Sequence, residues 1–244
     1  DAFDFQMTIA VPYWSMVQQR DIQAQYNPMS RKELVAAYPN LHLDKYFEAY
    51  GIEEQQKIMV EQKSYFDELN KILGATDAKV LKHFLQAQLL SNACGSLDDR
   101  FSDASFEFFS KELQGITEQK PRWKRAMNVP NHLLGEAVGK MYVEKYFPEK
   151  DKERMLGMVK NMQKALGEHI DSLDWMSPQT KEKAHEKLAA FTVKIGYPDT
   201  WKDYSSLEID PSKSYFENLR TASLWYTKDN LKDLGKPVDR TKWG

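Results

Sequence analysis

Asp151-Lys152-Glu153-Arg154-Met155-Leu156-Gly157-Met158-Val159-Lys160-Asn161-Met162-Gln163-Lys164-Ala165-Leu166-Gly167-Glu168-His169-Ile170-Asp171-Ser172-Leu173-Asp174 decides the fold class. Its apolar residues Met155, Met158, Val159, Met162, Leu166, Ile170 and Leu173 recur mostly at steps of three and four, so one face of an α-helix collects them. Just beyond, Ser177-Pro178 places a capping hydroxyl ahead of a proline at the first helical position, where no N–H is needed, and starts a helix to about Ala190. Phe191-Thr192-Val193-Lys194-Ile195 then breaks the helical pattern. It alternates, is β-branched and stops at Gly196-Tyr197-Pro198, which predicts a short strand. Residues 196–214 carry Pro198, Pro211 and Ser205-Ser206 and read as loop, and a last helix from about Tyr215 closes at Gly235-Lys236-Pro237.

Towards the N-terminus the helical signals continue. Thr76 is placed to cap a helix through Asn92, built on Val80, Leu81, Phe84, Leu85 and Leu89. Glu53 to Leu73 shows the same periodicity less cleanly in Ile58, Tyr65, Phe66, Leu69, Ile72 and Leu73, with Gly74 as its stop. Ser30-Arg31-Lys32-Glu33 has capping-box spacing. Val129-Pro130-Asn131 marks a hinge where proline interrupts two helical patterns. The expected fold is mainly α, in keeping with only 11 Gly and 10 Pro among 244 residues.

Composition excludes several classes. Six Trp, 12 Tyr and 12 Phe can fill a core, which argues against disorder. A single cysteine, Cys94, cannot build a disulfide scaffold. No run approaches eighteen apolar residues, so no membrane-spanning helix is expected. A formal charge of −2 gives no electrostatic reason to expect nucleic acid or an anionic membrane. Asp1-Ala2-Phe3-Asp4 lacks the basic start of a signal peptide.

The search for chemistry is mostly negative. A helical zinc site wants two imidazoles four residues apart, and no pair among His42, His83, His132, His169 and His185 has that spacing. His185-Glu186 begins like such a motif, but Ala189 stands where the second histidine belongs, so a solvated helix face is the better reading. His132 and Glu136 have the spacing to share a cation, but a lone pair of this kind is usually a surface contact. Cys94 has no local base and reads as a small buried residue. Gly135 and Gly139 suggest close helix packing. Lys120-Pro121-Arg122-Trp123-Lys124-Arg125 has the basic and aromatic interleaving of a single-stranded nucleic-acid contact. In a net-acidic chain it reads better as a basic helix start with Trp123 turned inward. Asp98, Asp99 and Asp103 lack the ligand spacing and terminal Glu of a calcium loop. No catalytic, cofactor-binding or metal-ligating residue is singled out.

Three stretches resemble the neprilysin and endothelin-converting-enzyme family of zinc metallopeptidases. They are Gln119 to Arg125, Leu134 to Phe147 with its Gly135-Glu136-Ala137-Val138-Gly139-Lys140, and Leu173-Asp174-Trp175-Met176-Ser177-Pro178 running on to Lys194-Ile195-Gly196-Tyr197-Pro198. Arg20-Asp21, Tyr26-Asn27-Pro28-Met29-Ser30 and Gly235-Lys236-Pro237-Val238-Asp239 with Trp243 match more weakly. The animal members have a cysteine where Ala126 stands here, so the resemblance implies a bacterial relative, with the compartment left open between cytosol and periplasm or beyond.

The resemblance implies a hydrolase of two lobes around a chamber, a helical one and a thermolysin-like α+β one. Residues 1–130 would be the helical chamber-covering lobe. Residues 131–218 would be the leading part of the catalytic lobe, without zinc ligands, and 219–244 would return to the helical lobe. The family cleaves peptides with a zinc-activated water and a glutamate base, on motifs that its members place after the position of Trp243. Zinc is thus expected in a parent enzyme and not here, and this chain alone is expected to be inactive. Its expected partners are peptide substrates and the C-terminal catalytic part of the same protein. A large exposed apolar surface is expected within 131–218, and partners for the strand at 191–195 are expected elsewhere. A stand-alone helical interaction module derived from the same scaffold is the alternative.

Overall fold

The computed structural model describes residues 1–52 and 57–243. They form two compact units, residues 1–117 and 118–244, and the fold is mainly helical.

The first unit begins with α1 (Ala2–Ala10), β1 (Pro28–Met29), α2 (Arg31–Ala37) and α3 (Leu43–Ala49). It continues with β2 (Ile58–Met59), α4 (Lys63–Ala75), α5 (Ala78–Ala93) and α6 (Asp99–Ser105), which widens into a π-helical stretch over Phe106–Glu112. The capping box at the start of α2 is formed: Ser30 Oγ accepts from the Glu33 N–H at 3.2 Å, and Glu33 accepts from the Ser30 N–H at 2.8 Å. The core gathers Leu34, Tyr38, Phe47 and Val60, with Met29, Ile58 and Phe66 against it. Tyr38 is 1% exposed, and its hydroxyl donates to Asp67 Oδ1 at 3.1 Å. Burial raises the Tyr38 phenol above its ordinary range, and the Asp67 carboxylate adds to the effect.

Two expectations for this unit are corrected. The helix read over 53–73 starts only at Lys63, its residues 53–56 lying outside the described set. Met29 and Ile58 pair instead, as do Pro28 and Met59, in an antiparallel ladder. Asn27 extends the ladder: its carbonyl takes the Val60 N–H at 3.1 Å, and its side-chain amide donates to the Val60 carbonyl. Tertiary pairing thus overrides a weak helical period. The second correction is at the α4–α5 junction. Asp77, not Thr76, caps α5, accepting from the Lys79 N–H at 2.7 Å, while the Thr76 hydroxyl turns back to the Ile72 carbonyl at 2.6 Å.

The second unit holds α7 (Arg122–Ala126), α8 (Asn128–Leu133), α9 (Gly135–Tyr146), α10 (Glu149–Ser172), α11 (Pro178–Ala189) and α12 (Tyr215–Leu231). Pro130 does not interrupt a helix. It stands in the first turn of α8, where its missing N–H has no intrahelical partner to lose, and the breaks fall at Met127 and Leu134. Ser177 caps α11 as read, accepting from the Thr180 N–H at 3.2 Å. α10 and α11 pack as a helical hairpin at Gly167, where an added Cβ would stand 3.4 Å from the His185 ring. Residues 191–195 run without turn or bend, and no ladder forms on them. A strand needs a ladder partner, and among the described residues no segment pairs with it through backbone hydrogen bonds.

Residues 196–206 are irregular yet tied at every step. Lys152 of α10, its side chain 13% exposed, donates to the Tyr197 carbonyl at 2.8 Å and to Asp199 at 2.7 Å. Tyr197 stacks on Trp201 at 5.7 Å with planes 7° apart, and Trp201 lies 3.6 Å from where a Cβ on Gly139 would be. Glu136 of α9 accepts from the Lys202 N–H at 2.6 Å. Lys202 Nζ pairs with Asp229 of α12 at 2.6 Å, and Trp225 of α12 donates to Ser206 at 2.8 Å. The predicted loop is therefore a strap across α9, α10 and α12.

Candidate functional site

The histidines do not converge. His42 joins the turn Pro39–Leu41 to α3 in a left-handed conformation, φ 48°. His83 and His169 are exposed on α5 and α10. His132 faces Tyr226 at 6.3 Å and does not share a ligand with Glu136, whose carboxylate is taken by the strap. His185 is more than a solvated face: its Nε2 meets Asp171 Oδ1 at 2.7 Å and ties α11 to α10. Among the described residues, no three His, Cys, Asp or Glu side chains gather in a group that could hold a metal ion.

The other motifs take structural places. Asp98 caps α6, accepting from the Arg100 N–H at 3.1 Å, and pairs with the Arg100 guanidinium at 2.7 Å. That guanidinium holds the Asp98 carboxyl below the usual carboxylate range. Cys94 is half-buried and donates to the Leu90 carbonyl at 3.1 Å. Gly139 permits close packing, but against Trp201 of the strap rather than a helix, and Gly135 faces open space. Trp123 is not turned inward. It is 66% exposed, with Lys124 Nζ 5.4 Å from its ring centre. The five residues of α7 are too short to bury one face, so the helix reading of this stretch held and its orientation did not.

What the second unit presents is surface. The apolar face that identified α10 is largely uncovered: Met155, Met158 and Leu166 are exposed, and Met162 is 68% so. Phe191 is 59% exposed, and Val193 also faces solvent. Patches of this kind mark contact surfaces more often than the skin of a monomer. Between α10 and residues 192–200 lies a cleft of about 350 Å³, lined by Lys152, Leu156, Val193, Ile195, Arg240 and Trp243 among others. Lys194, which lines it, donates from Nζ to the Lys242 carbonyl. Across α12, Asp229 is bonded by Lys202 and then by Lys232, which hold its carboxyl below the ordinary range against the opposing effect of burial.

Sequence reasoning found α5, α10, α11, α12 and the start of α2, and missed the strap. Trp201, Lys202, Asp229 and Lys152 carry no spacing signal, because they meet only once the chain has folded. No helix among the described residues is long and apolar enough to cross a membrane.

The sequence model of peptidase family M13 matches residues 1–198. A neutral endopeptidase of Lactobacillus helveticus is 30% identical over 243 residues, covering 99% of this chain and 37% of that protein. Neprilysin-2 of Drosophila melanogaster is 28% identical over 265 residues, covering 99% of this chain and 34% of that protein. Among solved structures, the zinc metalloprotease Zmp1 of Mycobacterium tuberculosis in its open state superposes with a TM-score of 0.88 at 30% identity. That match covers 98% of this chain and 37% of Zmp1. The chain spans about a third of the length of the curated relatives it matches.

Proposed function

Because this chain belongs to peptidase family M13, the family of neprilysin-like metalloendopeptidases, we propose that it is a non-catalytic portion of a zinc metalloendopeptidase that cleaves peptides. In this reading it supplies chamber wall and substrate-gating surface. Residues 1–130 are the helical lobe, 131–218 lead into the catalytic lobe, and 219–244 return to the helical one. Zinc belongs to the whole enzyme, with its ligands outside residues 1–244. No step of bond cleavage is placed on this chain.

The observation that carries the reading is coverage. A match to Zmp1 over 98% of this chain uses only 37% of that enzyme. The uncovered face of α10 supports it, since a lobe parted from its complement bares the surface the complement would cover.

The test compares the complete gene product with the 244-residue polypeptide. The complete protein is expected to hold one zinc and to cleave peptides in a chelator-sensitive way, and the shorter one to do neither. Chelator-sensitive cleavage by residues 1–244 alone overturns the assignment of catalysis elsewhere. A complete product without zinc or cleavage overturns the peptidase reading and favours an interaction module.

A further inference from the structure

We propose that the first unit carries a binding site for a small organic cation of the quaternary ammonium class, in an aromatic cleft walled by Tyr13, Tyr46, Phe47, Tyr65 and Phe66 with Glu61 as its acid. The site lies wholly within residues 1–117 and does not rest on the peptidase reading.

Local structure brings the walls together. The chain leaving α1 carries Tyr13, α3 supplies Tyr46 and Phe47, and the passage from β2 into α4 supplies Glu61, Tyr65 and Phe66. The cleft has a volume of about 370 Å³, within the range of small-molecule sites, and its floor is the buried core at Leu34 and Val60. Its rings stand in different planes. Tyr65 is edge-on to Tyr13 at 5.2 Å and 80°, and to Phe66 at 6.2 Å and 87°. Tyr46 meets Phe47 at 5.9 Å and 74°. Rings crossed in this way are not stacked face to face, so part of their π-surface is left for a guest. Tyr13 and Tyr46 are more than half exposed although they line a concave site.

The charge of the guest follows from the lining. An aromatic face is negative and attracts a cation. Phe47 already shows this: the Arg31 guanidinium stands 5.0 Å from its ring centre and is tied to the Ile52 carbonyl at 2.9 Å, and Arg31 is not itself a lining residue. Among the described residues no such cation stands over Tyr13, Tyr46 or Tyr65. Glu61 is the one acidic or basic side chain lining the cleft among the described residues. Neither its carboxylate nor the hydroxyls of those three tyrosines has a hydrogen-bond partner there. Burial raises the Tyr65 phenol above its ordinary range, so that ring stays neutral and the Glu61 carboxylate sets the sign of the lining. A neutral guest leaves this carboxylate unanswered, and an anion meets it as a like charge. An apolar cation satisfies both the rings and the acid.

Choline and the uncharged alcohol that has carbon in place of its nitrogen test the charge, because the two share shape and size. Each is titrated against the complete protein and against the 244-residue polypeptide, with the NMR line width of its methyl groups as the readout. The expected result is that choline binds both proteins at least about tenfold more tightly than the alcohol. Equal affinity for the two ligands overturns the cation and leaves an apolar pocket. No binding of choline overturns the site. Binding to the short chain but not to the complete protein overturns it too, because the rest of the polypeptide then covers the cleft. Tyr13→Leu and Tyr46→Leu locate the ligand. Both rings are largely exposed, so neither substitution opens the core. Each should weaken choline at least about fivefold and leave the alcohol within about twofold. Glu61→Gln should weaken choline about threefold and flatten its salt dependence. Choline binding unchanged in all three variants, or an equal loss of both ligands, overturns the proposal.

Discussion

Replacing Gly196 by alanine separates backbone strain from steric exclusion. Gly196 has φ +74°, in the region that L side chains avoid, and a Cβ there would stand 2.4 Å from Phe147 Cε1 and 3.1 Å from Cδ1. Gly235 has nearly the same φ, +77°, with nothing within 4 Å of its virtual Cβ. Both alanines carry the left-handed penalty of about 1–2 kcal/mol. Only Gly196→Ala must also displace the Phe147 ring, which is half-buried and packs edge-on to Tyr197 at 6.1 Å. Overpacking of that kind costs about 1–3 kcal/mol. Gly196→Ala should therefore destabilise by roughly 2–5 kcal/mol and Gly235→Ala by roughly 1–2 kcal/mol. With a urea m-value of about 2 kcal/mol/M, the first shifts the unfolding midpoint by about 1–2.5 M. Tryptophan fluorescence can follow it through Trp201, which stacks on Tyr197. The cycle with Phe147→Ala completes the test. In that background Gly196→Ala should cost no more than Gly235→Ala. Equal costs in the wild-type background, or no coupling to Phe147, would refute the steric account.

Other outcomes follow from the same geometry. Lys152→Met, which keeps the stem and removes three hydrogen-bonding protons, should loosen the strap and cost about 1–3 kcal/mol, seen as faster exchange at 197–202. Ser214→Ala should lose about 1 kcal/mol of α12 stability in denaturant unfolding, because Ser214 Oγ holds the Glu217 N–H and Glu217 returns to the Ser214 N–H. The folded Asp229 carboxyl lies below its unfolded value, so its contribution is complete above about pH 4 and is lost as pH falls through the folded value. Acid unfolding of Asp229→Asn should lack that portion of the pH dependence. Met158→Lys and Met162→Lys, on the open face of α10, should leave the 244-residue chain within about 0.5 kcal/mol of wild type by urea unfolding.

The legible features were local ones. α10 was readable because apolar residues from Met155 to Leu173 repeat over about five turns, and the starts at Ser30 and Ser177 because a cap and its N–H partner lie three residues apart. What stayed hidden depends on residues distant in sequence. β2 replaced the start of a helix because Ile58 found Met29, which no local period encodes. Trp123 faces outward because five helical residues offer no core to turn towards. The apolar face of α10 was identified correctly, yet its burial could not be read from its period, since periodicity names a face and not the surface that covers it. The five histidines carried the negative reading, because none has the spacing of a ligand pair on one helix face.

The strap also predicts an order in which the second unit assembles. The α10–α11 hairpin needs only neighbours: Lys181 Nζ reaches the Asp171 carbonyl across 10 residues, and His185 reaches Asp171 across 14. The strap closes chain segments of 45 residues at Lys152 and 66 at Glu136. Segments of that length repay their closure entropy only after α9 and α10 already stand, so contacts between distant residues form late and slow the reaction. The hairpin is thus the expected early structure, with the strap latching α9, α10 and α12 together after it. Lesions in the strap should accumulate a helical species that lacks fixed aromatic packing, while lesions in the hairpin should slow the first step.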